Sequence, residues 1–501
     1  MRTRAPWGLA GLISGLAGLA TAYLTATWLG LRGNPVTDVA ELVIKLTPGP
    51  VAERLIALVG RHDKPLLVTG VLVVLVLLFT GLGLLARRSY GAAIGGFAAL
   101  GVVGLVANQS QFAAPATGIL PILAGVLTWL AVLNVLASYL RPKPYADLDT
   151  SRRFLLVASG VGLGSLVVGL LGWRVGGHRR AVAAARDALD LAGVADPRPP
   201  AGVEVGLDGI ESWKTPSSRF YRIDTALVPP AIEPADWSLR IHGMVDREIT
   251  LTYDELVSRP RQDFWMTLNC VSNEVGGDLI SNAWFSGTLL KDLLEEAGVH
   301  SRADAVKQTS EDGWTCGTPL SALLDDRGAM LAYAMNGEPL PIEHGFPVRT
   351  LVPGLYGYVS ACKWVRQIEL TTFDSFSAYW TERGWSAQGP VKLASRIDVP
   401  GDGHSVKAGQ VRVGGLAWQQ NTGIAAVQVQ LDGSAWREAT LARRKLKDSW
   451  VQWTATLDVA PGQHRLRCRA VNADGEVQTG VRADPVPDGA TGWHTITFSA
   501  G

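Results

Sequence analysis

Thr267-Leu-Asn-Cys-Val-Ser-Asn-Glu-Val-Gly-Gly-Asp-Leu-Ile-Ser-Asn-Ala-Trp284 is the stretch on which the fold turns. An apolar strand ends in Cys270. A polar segment with Asn273 and the Gly276-Gly277 pair follows, where backbone can approach a ligand closely. A thiolate at a strand end serves as a nucleophile or as a soft metal ligand. A buried free cysteine packed as a small hydrophobe is the third option. The spacing alone does not choose among them.

Downstream, His344-Gly-Phe-Pro-Val-Arg349 leads through Val352-Pro-Gly354 into Tyr356-Gly-Tyr-Val-Ser-Ala-Cys-Lys-Trp364. Tight turns gather a His, an Arg, a Lys and several amides into a short piece of chain. Such a set can hold a phosphate or a pterin edge. Equally, an apolar-flanked His can be structural and Arg349 can be a paired surface residue. The four cysteines, Cys270, Cys316, Cys362 and Cys468, include no C-x-x-C pair, so neither a zinc site nor a dithiol motif is indicated. One disulfide stays open, with its pairing unreadable.

Around these motifs, from Ser217 to about Thr372, strand-like and helical runs interleave irregularly, which predicts an α+β domain. Trp237 to Gly243 reads as a strand, and Thr252 to Ser258 and Thr288 to Ala297 read as helices. After about Ser386, strand-length segments recur between Asp-Gly and Pro-Gly turns: Val411 to Val413, Ala425 to Leu431, Val451 to Val459 and His464 to Val471. That rhythm predicts an antiparallel sandwich of immunoglobulin size. Upstream, a basic Ala-rich helix (Arg179 to Ala192) and the Pro-rich run Ala195 to Ala201 form a linker.

Residues 1 to about 173 differ in kind. Five uncharged apolar stretches are long enough to cross a bilayer: Gly8 to Leu29, Leu66 to Ala86, Tyr90 to Ala107, Gly118 to Leu140 and Phe154 to Trp173. Val39 to Val59 carries charges and Pro48 and Pro50, and reads as an amphipathic or re-entrant connection. Basic residues near the span ends place the N-terminus inside and everything after the fifth span outside. Those residues are Arg2, Arg4, Arg87, Arg88, Arg141, Lys143, Arg152 and Arg153. The first external loop, with Arg32, Lys45, Arg54, Arg61 and Lys64, is discordant. Ser151-Arg-Arg-Phe-Leu-Leu156 resembles a twin-arginine export signal without the usual spacer, and reads equally as a positive-inside anchor.

All eight histidines lie outside the spans, so no intramembrane pair can hold a haem. No charged residue lies within them either, which removes the usual mark of a proton or ion path. Gly-rich runs (Gly91 to Gly104, Gly160-x-Gly162-x-Gly164) suit close helix packing, so anchoring or partner docking is the expected role. A formal net charge of +1 gives no field for nucleic acid.

Residues Phe220 to Thr372 resemble the molybdopterin-binding domain of the sulfite oxidase family. The segment after Ser386 resembles that family's C-terminal immunoglobulin-like dimerisation domain. The resemblance rests on Leu268-x-Cys270-x-x-Asn273, Asn282-Ala-x-Phe285-x-Gly287, Leu331-Ala-Tyr-x-Met-Asn-Gly337, His344-Gly-Phe-Pro-x-Arg349 and Lys363-Trp364. It implies a multidomain chain. A transmembrane anchor of five helices spans 1–175, a linker 176–215, an α+β molybdopterin oxidoreductase domain 216–385 and an immunoglobulin-like β-sandwich 386–501.

The resemblance further implies one molybdenum held by a dithiolene pterin (Mo-molybdopterin), with Cys270 as the only protein ligand to the metal and no haem. His344, Arg349, Ala361, Cys362 and Lys363 would hold the pterin and its phosphate. The backbone of Phe220-Tyr221-Arg222-Ile223-Asp224 would border the cofactor, Asp312 would add a polar contact, and Arg222 would bind the substrate's oxygen. The implied reaction is two-electron oxygen-atom transfer on a small sulfur-containing substrate outside the cytoplasm. A separate cytochrome or quinone-linked carrier would handle the electrons, and homodimerisation through the C-terminal domain is left open.

Three departures weaken sulfite as the substrate. Ile223-Asp224 replaces Asn-His, Trp385 stands where a metal-side tyrosine is expected, and Asn273-Glu-Val replaces Asn-Arg-Arg. Each removes a positive or hydrogen-bonding group. Reduction of a sulfoxide or N-oxide on the same fold is one alternative. A metal-free, membrane-tethered binding or scaffold protein is the alternative of another class.

Overall fold

The computed structural model describes residues 5–48, 51, 63–111, 114–141, 150–175 and 177–501. It forms two compact units, Met1–Ala184 with Thr225–Ala231, and Ala185–Asp224 with Ile232–Gly501.

In the first unit, five helices are long and apolar enough to cross a membrane: Ala5–Trp28, Lys64–Arg88, Tyr90–Gln109, Ala116–Leu140 and Arg152–Gly172. They coincide with the five predicted stretches. Leu72, Val73, Leu77, Leu127 and Leu163 face outward, a composition suited to hydrocarbon. Inside, the Phe79, Phe97 and Trp129 rings pack with centroids 5.5–5.9 Å apart, and the Trp129 indole donates to Gly15 O at 2.9 Å. The glycines that permit close approach are Gly11 and Gly83, where a Cβ would fall 2.2 Å from Phe79 O and Trp7 O. The expectation for Gly160, Gly162 and Gly164 is corrected: they face open space within the chain.

Part of Val39 to Val59 is a helix, Pro35–Leu46, started by an Asn34–Thr37 capping box. Its Asp38 is buried and accepts from Asn108 Nδ2 at 3.1 Å. Arg2, Arg4, Pro50, Glu53, Arg54, Arg61 and Lys143, on which part of the topology reading rests, lie outside the described residues. Arg152 and Arg153 fall within the first turn of the helix Thr150–Val175 rather than ahead of it. Thr225–Ala231 joins this unit through Lys64 Nζ to Ala226 O (2.7 Å) and His178 Nε2 to Ala231 O (2.9 Å).

The second unit begins with ten strands: β1 Ser238–Gly243, β2 Ile249–Thr252, β3 Gln262–Asn269, β4 Ile280–Leu289, β5 Ala305–Ser310, β6 Thr315–Pro319, β7 Met330–Met335, β8 Glu338–Pro339, β9 Arg349–Leu351 and β10 Val365–Thr371. One sheet runs β2-β1-β10-β5-β6, with β1 and β10 parallel. The other runs β3-β4-β7-β8, with β9 paired to β7. Short helices, Tyr253–Val257 and Leu290–Ala297, lie between strands, as α+β predicts. The second starts two residues later than expected, because Thr288 and Leu289 finish β4 and pair with β7.

Nine more strands follow: β11 Ala394–Val399, β12 Ser405–Val406, β13 Gly409–Trp418, β14 Ile424–Leu431, β15 Arg437–Glu438, β16 Thr440–Leu441, β17 Val451–Val459, β18 Gly462–Asn472 and β19 Thr495–Ala500. They make sheets β11-β13-β17-β16 and β12-β19-β18-β14-β15, which share a core of Val413, Val427, Val429, Trp453, Leu466, Cys468 and Phe498. Pairing is antiparallel except where β12 meets β19. This β-rich region also covers β3: Trp450 N donates to Thr267 Oγ1 (2.8 Å), and Gln420 Nε2 to Thr267 O (2.8 Å). That cover explains why Met266 to Asn269 are buried on both faces.

Candidate active site

β3 ends one residue before Cys270, and the following loop is tied shut beneath it. Cys270 N donates to Leu279 O (3.0 Å), Asn273 N to Cys270 O (3.1 Å), and Leu279 N to Asn273 Oδ1 (2.9 Å). Gly276 takes φ +85°, so the loop needs glycine there. Its outer rim is gripped from the β-rich region, where Arg396 Nη1 donates to Gly277 O (2.9 Å) while its Nε pairs with Asp398 (2.6 Å). The His494 ring fills the space a Gly276 side chain would need, its Nε2 2.3 Å from an ideal Cβ.

All four cysteines are free, and only Cys270 is partly exposed. Burial pushes its thiol up, against the Ser272 and Val271 amides and the Lys363 charge, which pull it down. A soft cation replacing the proton gains those same favourable partners.

The Lys363 charge that acts on the thiol belongs to a cationic cluster. Lys363 Nζ pairs with Asp224 Oδ2 at 3.1 Å, and Arg222 Nε pairs with the same oxygen at 2.8 Å. The terminal nitrogens of Arg222 have no protein partner among the described residues. Burial, opposed by the Asp224 charge, lowers Lys363 to about 8. Arg349 is buried, donates Nη1 to His344 O (3.1 Å), and is lowered to about 10 by burial. His344 is lowered to about 3 by burial, then by Lys363, Arg349 and Arg222, so it is neutral at physiological pH. Gly345, at φ +108°, brings these groups together: a Cβ there would lie 3.0 Å from Arg349 Cβ and 3.2 Å from Lys363 Cα.

Two buried polar atoms in this cluster, His344 Nδ1 and Arg349 Nε, have no partner among the described residues. Buried groups are otherwise satisfied as a rule, so these mark where a ligand would bond. A hydrogen-bonding, anionic group such as a phosphorylated pterin fits them. Phe220 stacks on Tyr221 (5.5 Å) and meets the His344 ring edge-on (5.4 Å), closing one wall.

The structure thus brings Phe220, Tyr221, Arg222, Asp224, Cys270, His344, Arg349 and Lys363 together. Ala361 and Cys362 lie buried behind, where Cys362 N donates to Thr350 Oγ1 (2.9 Å) and its thiol is within reach of Cys316. Asp312 differs in use: its carboxylate accepts from Trp314 N within its own turn (3.2 Å). The Ile223 side chain turns to solvent, leaving its backbone as expected.

Sequence reasoning missed Tyr356, Arg396 and His494. Burial pushes the Tyr221 phenol well up and the Tyr356 phenol up to about 12, with the neighbouring Cys270 adding to both. Phenols therefore flank the thiol although Trp385 occupies the expected tyrosine position. The Trp385 indole is buried against Tyr358 and Trp380, with no partner for its N–H among the described residues. Only Tyr356 had a signal in the sequence, lying inside the Tyr356–Trp364 run.

Residues 226–380 match the family described as the oxidoreductase molybdopterin binding domain. The chain is 35% identical over 173 residues to an oxidoreductase of Bacillus subtilis (strain 168), YuiH, covering 34% of this chain and 84% of that protein. It is 29% identical over 318 residues to mitochondrial sulfite oxidase of Macaca fascicularis, covering 54% of this chain and 58% of the relative. The chain therefore spans little more than half the length of that relative. The sulfane dehydrogenase SoxCD of Paracoccus pantotrophus superposes with a TM-score of 0.51 at 25% identity, covering 57% of this chain and 81% of that one. The chain belongs to the sulfite-oxidase-like family of molybdopterin-binding oxidoreductases.

Proposed function

We propose that this chain is a membrane-anchored molybdenum-cofactor oxidoreductase transferring an oxygen atom to or from a small sulfur-containing substrate outside the cytoplasm. The observation that carries the proposal is the pair of orphaned atoms, His344 Nδ1 and Arg349 Nε, in the cluster whose Lys363 acts on Cys270, the cysteine that is not fully buried. When bound, the cofactor supplies two-electron redox chemistry with transfer of an oxygen atom.

Cys270 is the protein's ligand to the metal, with Asn273 and Leu279 setting its loop. His344 and Arg349 complete their hydrogen bonding on the pterin, and Lys363 meets its phosphate. Ala361, Cys362 and Phe220 to Asp224 line the site through backbone, and Asp312 holds the turn beyond. Arg222 offers its two free nitrogens to a substrate oxygen. Five apolar helices support the anchor, and basic residues between the spans support an outside location. The β-rich region is taken as immunoglobulin-like. A separate cytochrome or quinone-linked carrier exchanges the electrons.

The Asp224 carboxylate favours a second reading within the same chemistry. It engages both Arg222 and Lys363 and so reduces the positive field a sulfite dianion needs. An uncharged sulfoxide or N-oxide suffers less from that loss. The test uses the full chain in detergent: molybdenum and pterin content first, then sulfite with an artificial acceptor against methionine sulfoxide with reduced viologen. Turnover with either substrate supports oxygen-atom transfer. Protein free of molybdenum and pterin after expression with cofactor synthesis intact would sink it.

A further inference from the structure

Along β18 the side chains alternate. Leu466, Cys468 and Ala470 are buried in the core, so Arg465, Arg467 and Arg469 point out from the opposite face. None of the three guanidinium groups is ion-paired among the described residues; Arg469 donates to the amide of Gln428 (2.8 Å). β19 lies alongside, with Thr495 opposite Arg467, and its lead-in continues the register as Cys468 N bonds to His494 O (3.2 Å). That register places Trp493 on the outer face with Arg469 and His494 on the inner face with Cys468.

On the outer face, the Arg469 guanidinium carbon lies 4.2 Å from the Trp436 ring centroid and 5.7 Å from that of Trp493. The two indoles meet edge to face at 4.9 Å. With Nε given to Gln428, stacking leaves the Arg469 Nη groups to take a carboxylate. On the inner face, His494 accepts from Ile397 N through Nδ1 (2.9 Å) and packs on Gly276 of the Cys270 loop. One strand's thickness therefore separates the Arg/Trp patch from the loop that carries Cys270.

We propose that this outer face, centred on Arg467, Arg469, Trp436 and Trp493, is the docking surface of the one-electron carrier, and that the carrier presents an acidic surface. The inference rests on the oxidoreductase reading, in which each two-electron turnover requires two visits by such a carrier. Clustered Trp and Arg are the residue types that dominate binding energy at interfaces. Unpaired like charges on one face recruit the opposite sign. A second copy of this chain is a poor occupant, since a two-fold contact would oppose the arginines to themselves.

The test uses the full-length holoenzyme in detergent, with one strongly acidic and one strongly basic c-type cytochrome as probes. The acidic cytochrome should bind, and its affinity should fall as salt is raised. The double variant Arg465→Glu/Arg467→Glu should weaken that binding by about tenfold or more, and Trp436→Ala should weaken it without the salt effect. Dye-linked turnover should stay at the wild-type level in both. Equal or better binding of the basic cytochrome, or undiminished binding by the charge-reversed variant, overturns the proposal. So does binding of anionic lipid vesicles through the same arginines with no cytochrome preference. Absence of dye-linked turnover in the wild type instead counts against the oxidoreductase reading itself.

Discussion

Lys363 Nζ stands 3.1 Å from Asp224 Oδ2, and both side chains are almost closed to solvent. The contact joins the run before β1 to the run before β10, far apart in sequence. In the proposed function it would set how much positive charge faces a substrate, because Asp224 also engages Arg222.

Replacing Asp224 by Asn should remove the carboxylate that engages Arg222 and so raise the positive charge there, with assays on the acid side of neutrality because Lys363, already near 8, loses the charge that holds it up. The KM for sulfite should fall about fivefold, near 1 kcal/mol for one neighbouring charge in partly solvated surroundings. The KM for an uncharged S-oxide should hardly move. Steady-state kinetics on both substrates decide it; equal shifts would remove the electrostatic filter assigned to Asp224.

Cys270→Ser should abolish turnover and reduce bound molybdenum to background while leaving membrane integration intact. Metal analysis of the purified protein and resistance to carbonate extraction give the two readouts. Retained metal with retained turnover would refute the ligand assignment.

His344 supplies a pH dependence in the cofactor-free protein. Its folded pKa is about 3 against an ordinary 6.5, so between those values the unfolded chain binds the extra proton. Stability is thus flat above pH 6.5 for this group and declines as pH falls from there towards 3. The slope is about 1.4 kcal/mol per pH unit at most. His344→Gln should flatten that decline, as measured by denaturant midpoints across the range. An unchanged acid profile would show that His344 is not buried neutral.

Arg396→Ala should cost about 3 kcal/mol, because among the described residues it leaves the buried Asp398 carboxylate with only the Glu211 amide (3.1 Å) to satisfy it. It also frees Gly277 O. Alkylation of Cys270 in cofactor-free protein should quicken several-fold, read by peptide mass, while the buried Cys316, Cys362 and Cys468 stay slow. Gly345→Ala should destabilise by about 1–3 kcal/mol through its φ of +108° and lower pterin retention in the same preparation.

Much of this protein was legible in its residues. An apolar run of bilayer length can satisfy its own backbone as a helix, so the five helices long and apolar enough to cross a membrane are legible from Leu, Val and Gly composition alone. The strand ending at Cys270 and the His344 to Trp364 turn cluster show as local patterns of apolar, glycine and basic residues. Thr288 and Leu289 were misread because Leu periodicity suits a helix, while pairing with β7 pulled them into β4.

What chain order alone determined is therefore local: which segments favour lipid, which end in turns, and which residue types a soft metal and an anion require. The tertiary structure alone decided which groups meet. Asp224 reaches Lys363 across 139 positions, and Arg396 reaches the Cys270 loop from 119 positions away. The physical reason is that charge pairing and loop clamping act through space over a few ångströms. Separation along the chain carries no record of them.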